Sequence, residues 1–311
     1  MLGYFLPGLP YPFEGERTDC PVCGSSDHAQ IGVLDRKLKR LSTDICHHCG
    51  LMFHNPMPTD AELSAYYAST YRFEYQFLRR RPSASHQARK AREAAGREAQ
   101  IDAAADLSQP LRTLDFGCGS GELVRHLASQ GHEAHGIEPG DSFAQHAAGE
   151  AGEATIHHGE WARMTFPAGH FNLITCLHVL EHLNRPVAAL EQMREWLAPD
   201  GILFLEVPDM EGYSNKGFDR FHFAHTLGFS HDCLVLALER AGFAVMTERA
   251  RTSLFAVKAG DPRANPAPLD LKGNAARMKA AYSQPFSLTR HVTRHAKRIR
   301  RILGHQIGAG K

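Results

Sequence analysis

Between residues 108 and 260, short apolar runs alternate with stretches whose apolar residues recur at helical spacing. The runs predict strands at 112–116, 133–138, 154–157, 171–176, 201–206, 243–248 and 253–258. The stretches between them predict helices near 121–130, 142–150, 187–198 and 231–241. Asp200-Gly201 supplies a turn after the third helix, and Ser230 a cap for the fourth. This alternation is the α/β pattern of a seven-stranded, Rossmann-like parallel sheet covered by helices, whose ligand loops gather at the carboxyl ends of the strands. Upstream, "PTDAELSAYY" offers Thr59 or Asp60 as an N-cap, and an Ala/Arg/Glu-rich stretch from Ser83 to Leu107 predicts a long helix. There is no internal repeat. The chain divides into a lead and cysteine module (1–55), a helical linker or acceptor cap (56–107), an α/β core (108–260), and a Pro-rich linker with a basic helical tail (261–311).

Composition adds two constraints. No charge-free apolar run reaches about 18 residues, so no membrane span is expected. The stretch from Met1 to Cys20 has neither a basic leader nor an apolar stretch typical of secretion, so a cytoplasmic location is expected. The net charge of +1 hides an asymmetry: Leu271 to Lys311 carries ten Lys/Arg and no acid, leaving −9 on the remainder. "SLTRHVTRHAKRIRRILGH" fits a basic amphipathic helix that could meet an anionic lipid surface, a nucleic acid, a polyanionic glycan, or the acidic body of the protein itself.

The first predicted core strand ends in Leu114-Asp115-Phe116 and breaks into Gly117-Cys118-Gly119-Ser120-Gly121. Glycines there permit positive φ and close backbone approach to a ligand, and the helix that follows offers unsatisfied N–H groups. Between Gly117 and Gly121 there is no lysine or arginine, so the loop is not built for a triphosphate. Glu138, at the end of the second strand, is placed to take both hydroxyls of a ribose.

The order acid-x-G-x-G-x-G resembles motif I of the class I S-adenosylmethionine-dependent methyltransferases. The resemblance continues through "GIEPG" and "HHGEWARMTFPAGHFNLITCLHVLEHL", covering roughly residues 110–260. It implies that Asp115, Gly117, Gly119 and Gly121 hold the methionine end of the cofactor and Glu138 its ribose. It also implies that Glu160 reaches the adenine amino group and Trp161 covers the ring. One departure is Asn172, where the family usually has a structural Asp; Asn keeps the hydrogen bond and loses the charge.

Seven cysteines split by spacing. Cys20, Cys23, Cys46 and Cys49 form two C-x2-C pairs, each followed by glycine, and predict a structural zinc ribbon in which four thiolates surround one Zn²⁺. His47 and His48, between the second pair, should be exposed. Cys118, Cys176 and Cys233 should be unligated thiols. The ribbon and "CGLMFHNPMP" resemble bacterial methyltransferases that fuse a four-cysteine ribbon to this core, many acting on sugars or other small metabolites. That resemblance makes Tyr66, Tyr67 and Tyr71 candidates to cap the acceptor pocket; packing of their helix onto the core is the alternative.

Candidate chemistry follows the fourth and fifth strands. "HVLEHL" brings His178, Glu181 and His182 within about one helical turn, and a histidine titrating near neutrality suits a hydroxyl acceptor. "FDRFHFAHTLGFSHD" adds His222, His225 and His231. The zinc-ribbon sugar C-methyltransferases show a similar passage with a Glu-His pair, but here Ala224 precedes His225, so the acidic partner is missing from that position. The resemblance thus implies an S-adenosylmethionine-dependent enzyme with His225 and His178 as candidate bases, and His222 with Tyr67 and Tyr71 near the acceptor. A small-molecule or sugar hydroxyl is the expected acceptor. An RNA methyltransferase, a nucleotide-sugar C-methyltransferase and a non-catalytic binding module are the rivals.

Overall fold

The computed structural model describes residues 9–67, 84–212, 217–266, 268–283 and 293. Two sheets organise them. The larger has seven strands: β4 (Arg112–Phe116), β5 (Glu133–Glu138), β6 (Thr155–His158), β7 (Phe171–Leu177), β8 (Leu197–Glu206), β10 (Phe243–Ala250) and β11 (Ser253–Lys258). Their spatial order is β10-β11-β8-β7-β4-β5-β6. The strands from β8 through β6 pair in parallel. The expectation of a parallel sheet fails at β11, which runs antiparallel to both β8 and β10. A tight turn explains it: Ala250 pairs with Ser253, so β10 and β11 form a hairpin too short for a crossover helix. The order reverses at β4, whose neighbours are β5 on one side and β7 on the other. A crevice opens at such a reversal, outside the carboxyl ends of the strands.

Helices cover this sheet for reasons readable in their sequence. α3 (Glu122–Ser129) buries Leu123, Val124, Leu127 and Ala128, the i, i+1, i+4, i+5 stripe of an amphipathic helix. α4 (Asp141–Gly149) follows β5, and α5 (Pro186–Trp196) starts with proline in its first turn and buries Leu190, Met193 and Trp196. α6 (His231–Arg240) is capped by Ser230, whose side chain accepts from the Cys233 N–H. The long helix α2 (Ala84–Ala105) is a sheet cover as much as a linker. Its Ile101 is fully buried among Leu173, Ile202 and Phe204, and Phe204 stacks on Phe255 with ring centroids 4.3 Å apart.

The smaller sheet is antiparallel, in the order β1-β2-β3-β9. Its first three strands, β1 (His28–Leu34), β2 (Arg40–Cys46) and β3 (Met52–His54), come from the cysteine module. The fourth, β9 (Leu227–Gly228), comes from the insertion after β8. Cys20, Cys46 and Cys49 accordingly share one continuous apolar core with Trp196, Phe229 and Leu234. Then α1 (Asp60–Tyr66) begins with Thr59 and Glu62 in a reciprocal capping box.

The acidic-free C-terminal region starts in α7 (Leu271–Tyr282), whose Asn274 Nδ2 donates to the Cys49 carbonyl at 2.6 Å. The basic stretch at 284–311 and Tyr71 lie outside the described residues, Thr293 excepted. Among the described residues no helix is long and apolar enough to cross a membrane.

Candidate active site

The strand-to-helix turns after β4, β5 and β7, together with α1, wall a cleft of about 910 Å³, counting the solvent at its open mouth. Gly117 opens it, with φ of +82°, a backbone shape open to glycine at little cost. The Val179 side chain lies against it: a Cβ built on Gly117 would sit 2.5 Å from Val179 Cγ2. At Gly119, φ +56°, an added Cβ meets nothing within 4 Å, so there is room above the loop. Gly121, φ +77°, is the N-cap of α3.

Glu138 closes the other side of the loop. One carboxylate oxygen accepts from Gly119 N–H at 3.0 Å, the other from Gly140 N–H at 2.8 Å. Burial pushes this carboxyl up, against the two N–H donors that pull it down. Asp115 does not face the cleft. It is buried beneath the loop, where its Oδ1 accepts from Thr175 Oγ1 at 2.6 Å, so it braces β4 against β7. Asn172, the departure from the resemblance, does keep its hydrogen bond: its Oδ1 accepts from Arg112 N–H at 3.0 Å.

Glu160 and Trp161 both line the cleft. Glu160 accepts from the Ser64 hydroxyl of α1, and the Arg185 guanidinium lies 5.7 Å from the Trp161 ring centroid. Arg185 also pairs with Asp60 at 3.0 Å, joining the start of α1 to the turn before α5. Nothing local in the sequence joins Ser64 to Glu160 or Asp60 to Arg185, because the partners lie about a hundred positions apart.

The tyrosines divide. Tyr66 is fully buried against Phe223 and packs α1 down. Tyr67 lines the cleft, with its hydroxyl 2.7 Å from His182 Nδ1.

Beyond Tyr67 the titratable groups gather. His178 has φ of +57° and donates its backbone N–H to the Glu206 carbonyl at 2.8 Å. Its Nδ1 lies 3.8 Å from Glu181, and its Nε2 3.1 Å from Glu206. These two carboxylates push the imidazole up to about 9. The same two carboxylates favour the protonated ring of His178. His225 is displaced the other way, well below its ordinary value, by burial and then by neighbouring His182 and Arg36. It stands behind His182 with ring centroids 4.7 Å apart, and His222, also pushed down by burial, lies 3.9 Å from it. His222 is buried and is not among the residues that line the cleft. His231 lies on α6, paired with Glu248 at 2.7 Å.

Although Ala224 leaves no acid next to His225 in the sequence, the Glu181 carboxylate lies 3.9 Å from His225 Nε2. No sequence signal joins the two, because they follow different strands, β7 and β8. Glu206 is a second carboxylate the sequence hid. Arg97 of α2 grips it, with Nη1 2.7 Å away, and Ser253 Oγ donates to it at 2.7 Å. Although burial alone would raise it, Arg97, His178 and Ser253 hold the Glu206 carboxyl well below its ordinary range.

The four predicted metal ligands do come together. Their sulfurs all lie within 4.8 Å of one another, with Cys20–Cys49 at 3.6 Å and Cys23–Cys46 at 3.5 Å. Two matching turns build the cluster: Gly24 N–H donates to the Cys20 carbonyl at 2.8 Å and Gly50 N–H to the Cys46 carbonyl at 2.9 Å. These separations suit a tetrahedral cation with metal–sulfur bonds near 2.3 Å. His47 and His48 are exposed, and Cys118, Cys176 and Cys233 are buried free thiols.

A sequence profile of a family described as a methyltransferase domain matches residues 84–248, more than half of the chain. The chain belongs to the methyltransferase family. The matched stretch contains the glycine loop and Glu138, joined by the hydrogen bond from Gly119 N–H. It is similar to the ubiquinone biosynthesis O-methyltransferase of Haemophilus ducreyi, 34% identical over 105 residues, or 30% of this chain and 44% of that protein. The protein of the same name from Psychrobacter cryohalolentis is 31% identical over 101 residues, 30% of this chain and 39% of that one. The matched part of the methyltransferase thus spans less than half the length of these relatives. Among solved structures, the magnesium protoporphyrin IX methyltransferase of Synechocystis superposes with a TM-score of 0.47 at 18% identity, covering 65% of this chain and 100% of that one.

Proposed function

We propose that this methyltransferase moves the methyl group of S-adenosylmethionine to a hydroxyl of a small molecule, with sugars among the candidate acceptors. The observation that carries the reading is the cleft itself, which has a cofactor-type wall on one side and Tyr67 with His182 on the other. The O-methyltransferase names of the partial relatives support a hydroxyl acceptor. S-adenosylmethionine supplies a methyl on a sulfonium, an electrophile that needs little activation. In this reading Gly117, Gly119 and Gly121 let the backbone approach the methionine end, Glu138 exchanges its backbone donors for ribose hydroxyls, and Glu160 and Trp161 take the adenine.

The chain's remaining task is to hold an acceptor oxygen in line with the methyl carbon and receive its proton, which is mostly orientation. Tyr67 and His182 are the groups placed to hold that oxygen, with His225 behind them. Cys20, Cys23, Cys46 and Cys49 hold a structural Zn²⁺ whose four protein ligands leave no open position for substrate.

The reading is tested by incubating the purified protein with isotope-labelled S-adenosylmethionine and a pool of small hydroxylated metabolites. The expected product is heavier by one labelled methyl replacing a hydroxyl proton. Label found only on RNA, or no binding of the cofactor by calorimetry, sinks it.

A further inference from the structure

Among the described residues, Glu181 is the carboxylate with both oxygens buried and without a hydrogen bond. Its side chain is 2% exposed, and neither carboxylate oxygen has a hydrogen-bond partner among the described residues. Burying a carboxylate without such partners costs several kcal/mol unless a cation compensates it. Three imidazoles surround the same oxygen at a distance too long for hydrogen bonding. His178 Nδ1 and His182 Nε2 lie 3.8 Å from Oε1, and His225 Nε2 3.9 Å from it. His178 is already engaged by Glu206 at 3.1 Å. The other two are oriented differently.

His182 Nδ1 lies 2.7 Å from both the Ala224 carbonyl, which can only accept, and the Tyr67 hydroxyl, which can donate or accept; a proton on Nδ1 serves both, and it is the arrangement that satisfies the carbonyl. In the neutral ring Nε2 then presents a lone pair to a carboxylate. Two lone-pair donors facing each other across a buried gap repel, whereas a cation between them would attract both. A backbone carbonyl fixing the tautomer of a ring whose other nitrogen turns to a shared centre is the usual support of a metal-bound histidine.

We propose that Glu181, His182 and His225 form a second metal site, distinct from the four cysteines, that takes a divalent transition cation, Zn²⁺ foremost. The three ligand atoms lie within 4.8 Å of one another. A tetrahedral site with bonds near 2.0–2.1 Å has ligand atoms about 3.3–3.4 Å apart, so each Glu181–imidazole distance, now 3.8 and 3.9 Å, closes by about half an ångström. Two imidazoles and one carboxylate select a borderline cation such as Zn²⁺ over Mg²⁺ or Ca²⁺, which prefer oxygen ligands throughout. Unlike the cysteine cluster, three protein ligands leave a coordination position for an oxygen donor. With His182 lining the cleft, the site gives the hydroxyl-acceptor reading a further feature and rests on it for its use, though not for its existence.

The test counts metal with neither cofactor nor acceptor present. The full-length protein, equilibrated with Zn²⁺ and freed of excess by gel filtration, is assayed by elemental analysis beside Glu181→Gln, His225→Ala and Cys49→Ser. Circular dichroism and cofactor calorimetry establish that each variant is folded. The wild type is expected to hold two equivalents, and Glu181→Gln and His225→Ala one each with cofactor affinity unchanged. Cys49→Ser should lose a different equivalent that adds to the first loss in the Cys49→Ser/Glu181→Gln double variant. Should Glu181→Gln fail to fold, His225→Ala alone decides. A wild type with one equivalent overturns the proposal. So does a second equivalent that survives both Glu181→Gln and His225→Ala, which would then sit elsewhere, such as on the surface group Glu133, His135 and His170. None of these outcomes depends on whether a hydroxyl is methylated.

Discussion

Substituting Gly117 by alanine separates two costs that the cofactor loop imposes on its own sequence. The first is conformational. Gly117 has φ of +82°, and a residue with a Cβ in the left-handed region costs about 1–2 kcal/mol. The second is steric: the new Cβ would stand 2.5 Å from Val179 Cγ2 and 3.0 Å from Cγ1, well inside contact distance. Val179 is half-buried and braced by the turn at Leu180–His182, so it yields only by moving into the cleft. Overpacking of this kind costs about 1–3 kcal/mol.

Gly117→Ala should therefore destabilise by about 2–5 kcal/mol. Gly119→Ala supplies the comparison, because φ is +56° there and the Cβ meets nothing within 4 Å. It should cost only the conformational part, about 1–2 kcal/mol. Gly117→Ala/Val179→Ala should recover most of the difference as a favourable coupling of about 1–3 kcal/mol. The assay is urea unfolding at fixed pH followed by circular dichroism, with cofactor titration on each variant. Gly117→Ala, which pushes Val179 toward the cleft, should also bind cofactor more weakly. Equal destabilisation by the two single alanines, or no coupling to Val179, would refute the assignment of the loop's cost to that contact.

Other expectations are open to direct measurement. Glu138→Ala should weaken S-adenosylmethionine binding roughly tenfold or more, the worth of about 1.5–3 kcal/mol for hydrogen bonds to a charged group; unchanged affinity by calorimetry removes it from the site. Chelation or Cys20→Ser should release zinc and lower hydrogen-exchange protection in β9 and α7 as well as in β1 to β3, since they share one core; protection lost only before residue 56 would contradict that packing. Tyr67→Phe should leave cofactor affinity intact and raise the acceptor KM or lower turnover by up to about tenfold, the worth of one hydrogen bond. Because Glu206 is depressed in the folded state, its stabilising contribution is complete above the unfolded carboxyl range near about 4.3 and is lost as pH falls through the folded value. The gap in urea midpoint between wild type and Glu206→Gln should accordingly shrink in strong acid, and it should also shrink as pH rises from about 6.5 through the raised value near 9 of the partner His178.

The strands were legible because each is a short apolar run bounded by turn residues, and burial on both faces leaves few alternatives. Their neighbours were not. Nothing in "SLFAV" announces that it reverses direction, since that depends on a two-residue turn at Arg251-Thr252 rather than on the strand. The cysteine cluster was readable from spacing because each knuckle is local. Its union with the core was hidden in β9, two residues long and without a periodicity of its own. The same limit applies at the site. Gly117 and Glu138 stand out because adjacent residues define their roles, whereas Arg97 with Glu206, and Glu181 with His225, are pairs that tertiary structure brings together across 109 and 44 positions.

The hydrogen bond from Asn274 to the Cys49 carbonyl bears on the order in which the protein is made. It closes a ring of 225 residues and shares that carbonyl with the Cys233 thiol, 184 residues away. The first 55 residues leave the ribosome early, yet one edge of their small sheet waits for residues 227 and 228, and their buried carbonyl waits for α7. During elongation at about 5–20 residues per second, the nascent module spends on the order of ten seconds or more with that edge open. Loops this long also slow the search for native pairing. A metal ion captured by the two knuckles in that interval would hold the N-terminal segment in shape until the rest of the chain arrives to cover it.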